Sequence, residues 1–572
     1  MAAPIRIANC SGFFGDRLSA AREMVEGGPI DVLTGDWLAE LTMLILARTR
    51  LKRPGGGYAR TFLTQLEQVM GTCLERGIKV VSNAGGLDPA GCADAVAEVA
   101  ERLGLAPKIA YVRGDDLMGP GEPLREPGAY LTANAYLGCW GIVEALAQGA
   151  DIVVTGRVTD AALVCGPAAW HHGWARDAWD ALAGAVAAGH VIECGAQATG
   201  GNYAFFHELP GMERVGFPWA EVAEDGSSVI GKHEGTGGEV SLGTVTSQLL
   251  YEIGAPAYLG PDVTTRFDTI RLEQAAPDRV RLYGVRGEPP PPTLKVCLNR
   301  HGGFRNDVSV GLVGLDVEAK AALVEKAFWK ACPYGPEDYA QVRTRLVRTD
   351  KPDPATNEEA VALWRLSVKD ADEKKVGRAF SNAVIELALA SIPGFFASQA
   401  PSSGRPFGVY EAGRIAAELV PQEVVVEGGE ARRVEARPPA QRVAGVPVAS
   451  AVEPTAQTPG GPMRRAALGR VFGTRSGDKG GDANLGVFAR CDAAWAWLDA
   501  FLTVECLREL LPELASLSIE RHRLPALRSL NFVVRGLLEE GVAASTRQDA
   551  QAKSLGEWLR ARVVELPEVL LS

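Results

Sequence analysis

The feature that most constrains this chain is a pattern repeated through its first 250 residues. A short apolar run is followed by a polar glycine loop and then by a helix-like stretch. The runs are Ile5 to Ala8, Ile30 to Leu33, Ile78 to Val81, Lys108 to Val112 and Asp151 to Val154. The stretches between them, such as Ala90 to Leu105 and Ala135 to Gln148, are alanine-rich with apolar residues at helical spacing. Continuous apolar strands alternating with helices call for a parallel sheet covered on both faces, an α/β fold. Right-handed crossovers place every loop that follows a strand on one edge of that sheet. Ligands of open α/β sheets sit there.

The loops on that edge are rich in chemistry. They read Cys10-Ser11-Gly12-Phe13-Phe14-Gly15-Asp16-Arg17, Thr34-Gly35-Asp36-Trp37, Ser82-Asn83-Ala84-Gly85-Gly86, Arg113-Gly114-Asp115-Asp116 and Thr155-Gly156-Arg157-Val158-Thr159-Asp160. Turns and helix caps account for Gly and Asp in any one loop. Capping has no need of arginine or of paired aspartates, so five such loops together point to an active site. The expected proton carriers are Asp36, Asp115, Asp160, Glu193 and His233. Arg157 is expected to act in catalysis by holding negative charge, and Ser11, Gly12, Asn83, Gly85 and Gly86 to contact substrate.

The expected domains are an α/β domain over 1–260, an α+β middle region over 261–427, a linker over 428–465 and a small α+β domain over 466–572. Val280 to Val285 and Thr293 to Cys297 read as strands, and Val317 to Lys330 and Glu359 to Ala390 as helical. In the last segment, Leu468 to Phe472, Asn484 to Ala489 and Leu530 to Arg535 suit strands. Trp495 to Leu511 and Ala550 to Val564 suit helices.

Composition narrows the function classes. The chain has 572 residues, more than one ordinary domain requires. Its 59 basic and 70 acidic side chains give a formal charge of −11. Without basic clusters, nucleic acid is not an expected partner. No apolar run reaches the roughly 18 residues of a membrane span, so no membrane partner is expected either. The opening residues show no basic segment followed by an apolar one, so a cytoplasmic location is expected. None of the 10 cysteines lies in a C-x-x-C pair, which argues against a disulfide scaffold and a structural zinc site.

Several motifs are decoys. Gly226 to His233 nearly fits a P-loop, but His233 replaces the magnesium-binding hydroxyl and no apolar strand precedes it. No G-x-G-x-x-G follows a strand, and H-E-x-x-H and G-x-S-x-G are absent. His171-His172 cannot face one site from adjacent helical positions.

Three further segments are informative. Lys232-His233-Glu234-Gly235-Thr236-Gly237-Gly238-Glu239 leads into an expected helix, Val240 to Tyr251. Glycine amides at a helix start suit a carboxylate or phosphate, so Lys232, Thr236, Gly237 and Gly238 are expected to bind substrate. Glu193-Cys194-Gly195-Ala196-Gln197 offers a carboxylate beside apolar residues, which raises its pKa towards general acid–base work. Cys194 is more simply a small buried hydrophobe than a nucleophile. Finally, Gly473 to Asn484 packs Arg475, Asp478 and Lys479 between two strands. It is expected to bind an anion or to dock into the N-terminal site.

With these residues in view, the sequence resembles the acyclic terpene utilisation family AtuA. The matching stretches are Ser11 to Arg17, Ser82 to Gly86, Thr155 to Asp160, Glu193 to Gln197, Gly235 to Gly238 with Gln248 to Glu252, and Arg475 to Gly480 followed by Asn484. The last of these looks like the family's C-terminal ferredoxin-like domain. The resemblance implies a role in breaking down acyclic terpenoids through CoA thioesters, alongside acyl-CoA carboxylases, dehydrogenases and hydratases. It carries over no catalytic residue set. The resulting expectation is hydration or isomerisation of an acyl-CoA, or of the carboxylate derived from it, by a homo-oligomer. The competing expectation is a non-catalytic acyl-CoA-binding protein or a scaffold for carboxylase subunits. No resident cofactor is expected. A third reading is metal-assisted chemistry through Asp36, Asp115 and Asp116, whose oxygens suit magnesium.

Overall fold

The computed structural model describes residues 3–53, 55–119, 130–427, 429–434 and 457–571. Its centre is a set of five parallel strands in the order Ile5–Asn9, Val32–Gly35, Lys79–Ser82, Ile152–Thr155 and Ile109–Arg113. Successive residues on these strands point to opposite faces, and both faces are buried. Ala8, Leu33, Val80 and Val154 pack with the helices Ala20–Gly27, Arg60–Arg76 and Pro89–Leu103. Ile7, Val32, Val81 and Val153 pack with Trp140–Ala147, Ala162–His172, Trp179–Ile192 and Leu242–Leu249. Burial on both faces is why these strands read as unbroken apolar runs rather than as alternating ones. The fold is α/β, as the runs indicated. Among the described residues, antiparallel strands extend the sheet to 11. Pro218–Val222 pairs with the first strand, and Gln422–Val426 with the strand Ile109–Arg113.

The chain divides into two compact units, Met1–Asn299 with Tyr410–Val542 and Gln551–Ser572, and Arg300–Val409 with Ala543–Ala550. The second unit is built on an antiparallel sheet. Residues 304–313 of the strand Thr293–Val313 pair with Val361–Asp370, and Gln341–Val347 forms the outer edge. Its core gathers Val310, Leu312, Phe328, Trp364, Leu366 and Phe380 under the helix Val317–Ala331. The short segment Ala543–Ala550 is held to that sheet at its backbone. Arg305 donates to the Ser545 carbonyl oxygen and Arg345 to that of Thr546, each at 2.9 Å.

Some element expectations need correction. Within Glu359 to Ala390, residues Val361–Asp370 form a strand, and helix begins only with Lys375–Ala379 and Phe380–Glu386. Ala362, Trp364, Leu366 and Val368 are buried at every second position, a strand's period. Leu468–Arg470 is a helical turn between the strands Met463–Ala467 and Gly473–Lys479. Ala550 to Val564 holds only a short helix, Leu555–Arg560, before the strand Val563–Pro567. Trp495 to Leu511 lies over two helices, Asp492–Phe501 and Val504–Leu510. Of the expected linker 428–465, residues 428 and 435–456 lie outside the described residues.

The C-terminal sheet has four antiparallel strands in the order Gly473–Lys479, Asp482–Phe488, Ser529–Val534 and Ile519–Leu524. The expected loop between two strands is therefore itself a hairpin, closed at Gly480-Gly481. Gly480 has φ +65°, a left-handed conformation that tight hairpin turns demand. Among the described residues, no helix is long and apolar enough to cross a membrane.

Candidate functional site

Three neighbouring parallel strands deliver the first group of side chains. Asp36 follows Val32–Gly35, Asn83 follows Lys79–Ser82, and Arg157 and Asp160 follow Ile152–Thr155. Asn83 Nδ2 donates to Asp36 Oδ1 at 2.5 Å, and the Leu38 amide donates to the same oxygen at 2.9 Å. The Ser11 carbonyl oxygen accepts from the Asp36 amide at 2.8 Å. Arg157 is 2% exposed. Its Nη2 lies 3.0 Å from Asp160 Oδ1, its Nη1 donates to the Leu38 carbonyl oxygen, and its guanidinium stacks 4.2 Å from the Tyr136 ring centroid. Burial and the charge on Asp160 push the Asp36 carboxyl well above the usual range, against the pull of Arg157 and Asn83.

The chain brings Glu193 to the same edge. Asn9 Nδ2 donates to the Glu193 carbonyl oxygen at 3.3 Å. Gly12 lies flat beneath Cys194, where an added Cβ would be 2.5 Å from the Cys194 carbonyl carbon. Glu193 Oε1 is 3.1 Å from His190 Nδ1, one helical turn back. Burial, with the charges of Asp160 and Glu252, raises the Glu193 carboxyl well above its usual value. Burial, with the Lys479 ammonium, lowers the His190 imidazole to about 4. Burial thus disfavours the charged form of both partners, the Glu193 carboxylate and the His190 imidazolium.

A second acidic–basic group surrounds Glu40 and was not legible in the sequence. Tyr136 Oη donates to Glu40 Oε1 at 2.9 Å, and Lys295 Nζ donates to it at 3.1 Å. Burial would raise the Glu40 carboxyl, but the Lys295 and Arg157 charges overcome it and hold it far below the usual range. Lys295 also lies 4.5 Å from the Tyr136 ring centroid.

The C-terminal hairpin closes the site. Arg475, Gly477 and Lys479 share one face of the strand Gly473–Lys479. Tyr251 fits against Gly477, where a Cβ would be 2.5 Å from Tyr251 Cε2. The Arg475 guanidinium lies 4.1 Å from the Tyr251 ring centroid and donates to Gln197 Oε1. Lys479 Nζ donates to the Glu252 carbonyl oxygen, and Lys553 Nζ to Tyr251 Oη, both at 2.9 Å. Asn484 accepts from the Glu252 amide and donates to the Leu250 carbonyl oxygen, each at 2.8 Å. Those bonds fix Glu252 in a left-handed backbone conformation, φ +54°, which a side-chain-bearing residue adopts at a cost. Burial, with the Glu252 and Glu40 charges, raises Asp478 to about 7.

Of the residues expected from sequence, Asp36, Asn83, Arg157, Asp160, Glu193, Arg475, Asp478 and Lys479 lie in this one electrostatic neighbourhood. Ser11 and Gly12 support it through their backbones. Gly85 and Gly86 shape the turn after Asn83, with the Gly86 amide donating to the Asn83 carbonyl oxygen.

Asp115 acts differently. Its Oδ2 accepts from the Arg157 amide and from Asn134 Nδ2, so it positions the Arg157 loop. It also borders a separate hollow of about 340 Å³ beside Arg113, Asn134 and Glu423. Burial raises it to about 7. Asp116 accepts from the Met118 amide. Among the described residues no three His, Cys, Asp or Glu side chains gather as a metal site, so Asp36, Asp115 and Asp116 do not form one donor set.

The glycine loop before Leu242–Leu249 is a correction. His233 Nε2 contacts the Met24 carbonyl oxygen at 2.9 Å and packs against Gly27 and Gly28. Lys232 Nζ donates to the Thr236 carbonyl oxygen and pairs with Asp278 at 3.1 Å. Thr236 donates to the His233 carbonyl oxygen. Gly237 packs against the Gly211 carbonyl oxygen, and the Gly238 amide donates to that of Pro210. The amides of Glu239, Val240, Ser241 and Leu242 all donate to protein oxygens. The amides from Gly238 to Leu242 and the side chains of Lys232 and Thr236 are spent on the fold.

Besides Glu40, Tyr136 and Lys295, sequence reasoning missed His190, Tyr251, Glu252 and Lys553. The signal for Tyr251 and Glu252 was their place in the stretch Gln248 to Glu252, which carries part of the family resemblance.

The family model for the acyclic terpene utilisation family protein AtuA matches residues 5–426, and that for the AtuA ferredoxin-like domain matches residues 466–565. No curated protein matches the chain. Between them the two models take in the parallel sheet, the Asp36–Arg157–Glu193 cluster and the hairpin that closes it, and the chain belongs to the acyclic terpene utilisation family AtuA.

Proposed function

We propose that this protein is an enzyme of acyclic terpenoid breakdown that hydrates or isomerises a branched, unsaturated acyl-CoA or the carboxylate derived from it. The observation that carries this reading is the crowding of Asp36, Asp160, Glu193 and Glu252 around Arg157 and Lys479. Moving a double bond or adding water beside a carbonyl needs a proton donor, a proton acceptor and a fixed positive charge for the developing oxyanion. The Glu193 carboxyl, raised above its usual value by burial, hands its proton to substrate. The Glu193 carboxylate left behind, steadied by His190, takes one back. Arg157 is held rigidly enough by Asp160, Tyr136 and Leu38 to meet the oxyanion without reorganising.

The test is solvent exchange. Unsaturated branched acyl-CoAs and their free acids are incubated with the protein in D2O and analysed by mass spectrometry. The reading expects deuterium in substrate or product with the wild-type protein and none with Glu193→Gln. Tight thioester binding without any incorporation would favour the competing reading, a non-catalytic acyl-CoA-binding or carboxylase-associated protein.

A further inference from the structure

Two arginines are buried among the described residues, and they are treated unequally. Arg157, 2% exposed, is matched by a carboxylate, Asp160 Oδ1 at 3.0 Å. Arg475, 6% exposed, has no carboxylate partner among the described residues. Its guanidinium donates to a neutral acceptor, Gln197 Oε1, and lies 4.1 Å from the Tyr251 ring centroid. The strand is pressed close at this point. Arg475 stands across the hairpin from Gly486, where a Cβ would be 2.6 Å from Leu250 Cβ. A buried charge held in this way is costly unless it is paired.

The chemistry of the two side chains fixes what they lack. An arginine can only donate, so the Gln197 amide must turn its oxygen towards it, and the Nε2 hydrogens are left over. Among the described residues, no protein oxygen accepts from Gln197 Nε2, and Gln197 Oε1 is the one side-chain or backbone oxygen that accepts from Arg475. What remains is a group made only of donors, an amide NH2 beside guanidinium N–H bonds. Stacking on Tyr251 occupies a face of the guanidinium and leaves its edge, where two parallel N–H bonds match the two oxygens of one carboxylate.

We propose that Arg475 and Gln197 bind a free carboxylate group of the substrate. The proposal rests on the acid–base reading above and names the group by which that site holds its substrate. Gln197 follows Glu193 by four positions, in the helical turn Gly195–Thr199. The anchor for the carboxylate therefore stands on the same short stretch of chain as the proton carrier. A carboxylate, planar and singly charged, matches one guanidinium edge in both shape and charge.

The experiment is isothermal titration calorimetry on the full chain with tiglate, a branched unsaturated acid, beside tiglamide and inorganic phosphate. Melting temperatures are measured on the ligand-free proteins. Tiglate is expected to bind the wild type, with tiglamide and phosphate weaker by about tenfold or more. Arg475→Met should weaken tiglate by about 10- to 100-fold, the worth of a charge-assisted hydrogen bond. Gln197→Glu sets a carboxylate of the chain's own beside the guanidinium. It should abolish tiglate binding yet raise the ligand-free melting temperature, because the buried charge is then paired; a glutamine with a purely structural role would lose stability instead. No tiglate binding in the wild type, tiglamide or phosphate bound as tightly as tiglate, or a tiglate affinity unchanged in both variants would overturn the proposal. Arg475-dependent tiglate binding with no deuterium incorporated into any substrate would remove the acid–base reading and keep the carboxylate site. Exchange that proceeds at the same rate in Arg475→Met would remove the carboxylate site and keep the acid–base reading.

Discussion

In the proposed reaction Glu193 is the proton carrier, and burial raises its carboxyl so that it holds its proton to higher pH than an exposed glutamate. The folded state then binds a proton that the unfolded chain releases. Its contribution to stability is present below the unfolded pKa of about 4.3 and declines as pH rises from there to the raised folded value. Glu193→Gln removes that penalty. Its melting temperature should match wild type near about pH 4 and exceed it near about pH 8, while turnover falls by roughly 10²- to 10⁴-fold. Calorimetry across this range and steady-state rates check both halves, and a loss of stability at the alkaline end would contradict the assignment. Arg157→Ala is a different case. It strands Asp160 and vacates a buried, stacked position, and should cost about 3–5 kcal/mol, visible as a lower melting temperature. Arg157 and Asp160 were legible in the sequence because they follow a strand in one short loop. Glu40 and Lys295 were not, because a separation of 255 positions hides a contact that only the pairing of Thr132–Ala135 with 296–299 creates. His233 misled because a glycine loop looks the same in sequence whether its amides face a ligand or the fold.

At the scale of elements, the C-terminal sheet is held to Leu250–Gly254 by two asparagine side chains that bond backbone groups. Asn484 bonds Leu250 and Glu252, and Asn531 Nδ2 donates to the Gly254 carbonyl oxygen at 2.7 Å. Asn484→Leu leaves two buried backbone groups unpaired, each worth about 1–3 kcal/mol. It should lower the melting temperature and displace Glu252. Gly477→Ala should cost about 1–3 kcal/mol by pressing on Tyr251, with turnover reduced as Arg475 and Lys479 shift. A melting temperature unchanged in both variants would mean that the hairpin does not dock this way. The parallel strands were legible because doubly buried strands have unbroken apolar runs. Val361–Asp370 was not, because the polar residues at alternate positions in Trp364-Arg365-Leu366-Ser367-Val368-Lys369 also fit a longer helical pattern.

At the scale of the molecule, the sheet brings three strand ends side by side, and the chain returns after Tyr410 to add the residues that complete the site. A ligand that binds only this folded arrangement stabilises it by mass action, about 2.7 kcal/mol at a hundredfold excess over Kd. Thermal shifts should therefore rank branched acyl-CoAs or their acids above unrelated anions. The central claim is that these acids and bases act as one coupled site. The most direct measurement is a pH titration of ¹³C-labelled Asp and Glu carboxyls by NMR, in wild type and in Asp160→Asn. Glu193 and Asp36 should titrate well above ordinary carboxylates, and both should move down when the Asp160 charge is removed. Ordinary values in the wild type, unmoved by Asp160→Asn, would contradict it.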